Sequence, residues 1–175
     1  MKDQNNNPSE LDQLMAAVLK VAEEQMRSQG ITLITYMMAT PQGTRVEIGD
    51  ASSDFQTLAT IFRLASVAQA ARVGVVSYQV RIRSDQNGPA KEAILVCGEA
   101  LGGIYRNWAY PILRNPQGCF AALGAKEVLS PIPPATVFGR LLPTGTPTAQ
   151  ERQAAAKALA ARITPIDQVD PKRKR

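Results

Sequence analysis

Histidine is absent from all 175 residues of the chain. It is the side chain whose ordinary pKa lies nearest physiological pH, and the commonest protein ligand for metals. Its absence excludes histidine acid–base relays, histidine-containing zinc sites and histidine-supported serine or cysteine nucleophiles within the chain. Phosphate-binding signatures are missing as well. There is no Gly-x-x-x-x-Gly-Lys-Ser/Thr loop and no Gly-x-Gly-x-x-Gly fingerprint. The nearest glycine cluster, Gly98, Gly102 and Gly103, has no lysine and runs into a strand pattern. A phosphate cradle needs consecutive backbone amides at the start of a helix. Neither a metal nor a cofactor is expected.

Aromatic residues make up only 5% of the chain, so Ala, Val, Leu and Ile must supply most of the core. No apolar run approaches the roughly 18 residues that suggest a membrane span. The start, MKDQNNNPSELD, is polar and acidic, without the apolar stretch of a secretory signal. These absences predict a cytoplasmic protein with no membrane span. Hydrophobic residues reach 45%, an ordinary share for a folded domain.

The net charge of +5 is unevenly placed. Lys172, Arg173, Lys174 and Arg175 contribute +4, leaving 5 − 4 = +1 for the first 171 residues. The body is nearly neutral. The tail reads as a solvated, solubilising segment, or as a contact for phosphates or an anionic surface.

Ser9, Glu10 and Asp12 look like a helix start, with a capping hydroxyl and acids in the positively polarised first turn. Leu11, Met15, Val18, Ala22 and Met26 follow at helical spacing, and Gly30 is the stop. Ile31 to Met38 and Arg45 to Ile48, joined through Thr40-Pro41-Gln42-Gly43, predict a hairpin. A second, more buried helix should start between Asp50 and Asp54 and run to about Arg72.

Val76, Tyr78, Val80 and Ile82 alternate with Ser77, Gln79, Arg81 and Arg83, as in a strand with one packed and one wet face. Further strands are expected from about Lys91 to Leu101, from Ile104 to Arg114 and from Cys119 to Leu129. Short connections at Gly102-Gly103 and Asn115–Gly118 make these four an antiparallel meander at roughly 75–129. Five prolines between Ser130 and Pro147 predict an irregular extended segment, with Val137, Phe138, Leu141 and Leu142 lying on the body of the domain. Thr148 and Glu151 form a capping box for an Ala-rich, peripheral helix ending near Ile163.

The fold class is therefore α+β. A mainly antiparallel sheet of about six strands is packed by two helices from the N-terminal half, both expected on one face, with a peripheral C-terminal helix. Along the chain this reads as a flexible start (1–8), a single α+β domain (9–147), the Ala-rich helix (148–164) and a flexible basic tail (165–175).

Chemistry has few places to reside. Cys97 and Cys119 fall in the second and fourth meander strands, about 10 Å apart across the third. That is too far for a disulfide, and two reduced, packed thiols are expected. A reactive cysteine needs a cation or helix N-terminus nearby; neither neighbourhood visibly offers one, although Arg106 or Lys126 could approach. Glu92 and Glu99 differ by an odd number, so one strand presents them on opposite faces. If Leu95 and Cys97 point inward, so does Glu99, and a buried carboxylate must be paired or protonated. The weak catalytic candidates are thus Glu99 and Cys97, against packed or wet-face structural roles.

The third meander strand offers the best binding surface. Ile104, Arg106, Trp108, Tyr110 and Ile112 share one face, and Trp, Tyr and Arg are enriched at interface hot spots. The bland alternative makes Trp108 a core anchor. Pro111, lacking an amide hydrogen, requires an edge, a bulge or a strand end. The leading expectation is a domain acting by binding, to a protein partner or to itself as a homodimer. The alternatives are a nucleic-acid-binding protein using Arg81, Arg83, Arg106 and the tail, and an enzyme built on Glu99 or Cys97.

Overall fold

The computed structural model describes residues 9–49, 53–82, 89–129 and 138–162. Among the described residues three helices and seven strands follow in the order α1 (Glu10–Gln29), β1 (Thr35–Thr40), β2 (Gly43–Ile48), α2 (Phe55–Ala68), β3 (Val73–Ile82), β4 (Lys91–Ala100), β5 (Ile104–Arg114), β6 (Phe120–Leu123), β7 (Glu127–Leu129) and α3 (Ala149–Ala160). The strands form one antiparallel sheet in the order β2-β1-β3-β4-β5, and β6 and β7 both pair with β5. The chain is an α+β protein. The first hairpin joins the meander through β1, which pairs with β3.

Both helices were expected on one face, and they lie on opposite faces. Leu11, Met15, Val18, Ala22 and Met26 of α1 pack on Met37, Val75, Ile94 and Val96. Leu58, Phe62 and Ala65 of α2 pack on Tyr36, Val76, Tyr78 and Leu95, with α3 against α2 further out. Continuous burial along Thr35–Thr40 of β1 and Ala93–Glu99 of β4 is the physical reason, because a strand covered on both sides loses its alternation. Ser77, expected on a wet face, is fully buried on the α1 side.

Helix termini form where local chemistry supplies caps. Ser9 Oγ accepts the Asp12 amide at 3.2 Å and Gly30 closes α1 at φ 74°. Gly98 lets the first turn of α1 rest on β4, since a Cβ there would stand 2.7 Å from Leu11 Cδ1. At the end of α2, Ala70 donates to Val67 and Ala71 to Ser66, closing a Schellman motif four residues short of the expected end at Arg72. Ala70 occupies its left-handed position at φ 51°, where glycine is favoured. Ala70→Gly should therefore stabilise the protein by about 0.5–1 kcal/mol, raising Tm by roughly 1–4 °C in a thermal melt. A fall in Tm would contradict this account of the turn.

The scarce aromatics are concentrated. Five of the nine, Tyr36, Phe55, Phe62, Tyr78 and Phe138, meet on the α2 side, with ring centroids 4.9–6.3 Å apart. The buried α1-side cluster is aliphatic and methionine, with Trp108, Tyr110 and Phe120 packed at its margin, and Ala, Val, Leu and Ile supply most of the buried hydrophobic residues, as expected.

Candidate interaction surface

The expected single fourth meander strand is broken into β6 and β7, and Pro111 accounts for the break. Gly124 N–H donates to the Pro111 carbonyl at 2.7 Å, so Pro111 turns its backbone toward this outer side, where it has no amide hydrogen to offer. Register confirms the defect: Ile112 pairs with Leu123 and Ala109 with Glu127. Two residues of β5 (110, 111) thus face three of the partner (124–126), a one-residue bulge.

The bulge carries Lys126, whose Nζ lies 4.2 Å from the Trp108 ring centroid. Trp108 and Tyr110 are half-buried against the α1-side core, and Ile112 is buried within it. Arg106, at the other end of this face, pairs with Asp12 of α1 at 3.1 Å. Val128 pairs across from Trp108 and is 72% exposed, while Ile104 is 53% exposed. Trp108 is therefore both a core anchor on its inner side and a surface group on its outer side. Val128 belongs to the same surface but was missed, because no pattern signal marks the exposed side of a three-residue strand.

Arg81 does not join this surface. It pairs across from Glu92, whereas Arg106 pairs across from Gly98, six residues further along β4 and so about 20 Å away. Glu92 accepts from Arg114 at 2.8 Å and lies 3.9 Å from Arg81, beside Lys91 in a shallow groove of about 610 Å³. Arg83 and the tail residues Lys172, Arg173, Lys174 and Arg175 lie outside the described residues.

Glu99 and Cys97 face the α2 side, opposite Glu92, as their spacing requires. Both are buried. Burial pushes the Cys97 thiol up to about 12, holding it in the protonated form that is a poor nucleophile. Neither Arg106 nor Lys126 approaches it, since both lie on the other face. Cys119 is exposed in the turn before β6, not packed as expected, and both cysteines are free.

Glu99 Oε1 accepts the Leu141 amide at 2.6 Å and also the Leu142 amide. Burial raises its pKa; the two amides, Arg140 and Arg63 oppose that rise. Arg63 of α2 holds the same segment from its other side, donating to the Arg140 carbonyl at 2.7 Å and the Phe138 carbonyl at 2.6 Å. Phe138, Leu141 and Leu142 are buried on the body of the domain as expected, and Val137 lies outside the described residues. Glu99 thus acts as a clamp on residues 138–142.

Among the described residues there is no group of three or more acidic or cysteine side chains suited to a metal. Among them, too, no helix is long and apolar enough to cross a membrane. The fold and surface define an α+β domain with a mainly antiparallel sheet and a tryptophan-bearing margin. No protein-family model, curated protein or solved structure matches the chain.

Proposed function

We propose that this domain works by binding a protein partner through the β5–β7 margin on the α1 side, with Trp108 at its centre. The observation that carries the reading is the exposure of Val128 and Ile104 around a half-buried tryptophan, with Arg106, Tyr110 and Lys126 beside it. Tryptophan, tyrosine and arginine dominate interface energetics, and clustered exposed apolar side chains mark interaction surfaces.

Val128→Glu tests it, because this side chain is exposed and its loss leaves the core intact. The variant should melt within about 2 °C of the wild type, as surface substitutions do. It should lose, by about thirtyfold in affinity, a protein that the wild type retains in affinity capture. Unchanged capture would refute the reading.

A second reading, binding of nucleic-acid phosphates, is favoured by the Arg81, Lys91 and Arg114 side chains of the groove. In the same capture it would appear as a nucleic acid released by salt and indifferent to Val128→Glu.

A further inference from the structure

The two margins of the sheet are finished differently. At the β5 margin the chain uses a proline, a bulge, a three-residue strand and a lysine, all devices that discourage pairing with another chain. β2 uses neither a bulge nor a proline. Its register against β1 is unbroken from Gly43 to Ile48, and among the described residues nothing pairs with its outer side. Gly49 N–H donates to the Ile34 carbonyl at 2.7 Å, extending the register by one pair. Hydrogen-bonded pairs alternate along an antiparallel ladder. Glu47, Arg45 and Gly43 therefore turn their backbone groups toward β1, and Thr44, Val46 and Ile48 turn theirs outward. Val46 and Ile48 are also 47% and 58% exposed on the α1 side.

We infer that β2 is a self-pairing edge: it joins β2 of a second copy of this chain antiparallel, about a two-fold axis at Val46, making one continuous sheet. In this register Thr44, Val46 and Ile48 meet Ile48, Val46 and Thr44 of the second copy, so each outward donor finds an outward acceptor. Arg45 then stands opposite Glu47 of the second copy, and Glu47 opposite Arg45, on the α2 side. Moving the axis by one residue sets Arg45 against Arg45 or Glu47 against Glu47. Opposite charges across strands stabilise and like charges destabilise, so the charge pattern selects the axis at Val46. The axis is normal to the sheet, which keeps both α1 faces on one side and merges the exposed Val46 and Ile48 side chains into one apolar strip.

Sedimentation equilibrium of the full chain tests this. The wild type should reach twice the monomer mass as its concentration rises. Arg45→Glu alone and Glu47→Arg alone should each weaken self-association by about tenfold or more, since both charge pairs become like-charge pairs. An equimolar mixture of these two variants should regain the dimer, as should the double exchange in one chain. Thermal melts verify that each variant is folded. A wild type that stays monomeric overturns the proposal, its edge then being covered by other parts of the chain or by another protein. Single variants that dimerise like the wild type, or a mixture that does not associate, overturn it equally. Val128→Glu should leave the mass unchanged, so failure of the partner surface and failure of this edge are read separately.

Discussion

Replacing Glu99 with Leu should lower Tm by about 10 °C, whereas Gln at the same position should keep it within a few degrees. The Leu141 and Leu142 amides both donate to Glu99 Oε1 in a buried setting. Leucine is close to glutamate in size but leaves two buried donors without an acceptor. Each costs about 1–3 kcal/mol, and for a chain of this size about 2–4 °C of Tm follows from each kcal/mol. Gln retains a carbonyl oxygen with two lone pairs, which is also what a protonated Glu99 presents. Native-state hydrogen exchange should show both amides losing protection in Glu99→Leu and keeping it in Glu99→Gln. Protection retained in the leucine variant would remove the clamp.

The same carboxyl makes stability depend on pH. Burial, the dominant cause, raises its pKa in the folded state. Between the ordinary carboxylate value and that raised value the native state binds more protons than the unfolded state. Stability from this group is therefore full below the ordinary value and falls as pH rises through the window. Gln does not titrate. The Tm of Glu99→Gln relative to wild type should rise as pH is raised above the ordinary carboxylate value, and a constant or falling difference would show that burial does not dominate.

Much of the fold was legible where one residue type does one job. Ser9, Gly30, Thr148 and Glu151 cap helices as their chemistry requires, and the register of β4 with β5 follows from a short turn. The sidedness of the helices was harder to read, because Ala93 to Cys97 is apolar on both faces and a continuous run carries no phase. That run was itself the signal for two-sided cover. Pro111 announced an irregularity, but the sequence does not say whether a proline meets solvent or a bulge. The Glu99 clamp joins residues about forty apart, and only the conditional that placed Glu99 inward with Cys97 pointed toward it. Scarcity of aromatics correctly pointed to an aliphatic core, but composition carries no sign that five of the nine rings meet on the α2 side.

Phe138→Ala should be among the most damaging single changes, costing about 3–5 kcal/mol in urea denaturation. Phe138 is 1% exposed and its ring meets Phe55 at 5.4 Å, Tyr78 at 5.2 Å and Phe62 at 5.9 Å. The ring anchors residues 138–142 to the α2 side of the sheet. Glu99 holds the same short segment by its amides, so the two anchors act on one object. Once Glu99→Leu has loosened residues 138–142, Phe138 has less fixed packing left to lose. The double variant should therefore cost at least about 1 kcal/mol less than the sum of the single changes, the signature of coupled sites. Met26→Ala, on the opposite face of the sheet, supplies the control and should add to Phe138→Ala within about 0.5 kcal/mol. Additivity of Glu99→Leu with Phe138→Ala would mean that carboxylate and ring stabilise the sheet separately. Sub-additivity confined to that pair would identify residues 138–142 as one unit, held down by a buried acid and a buried ring.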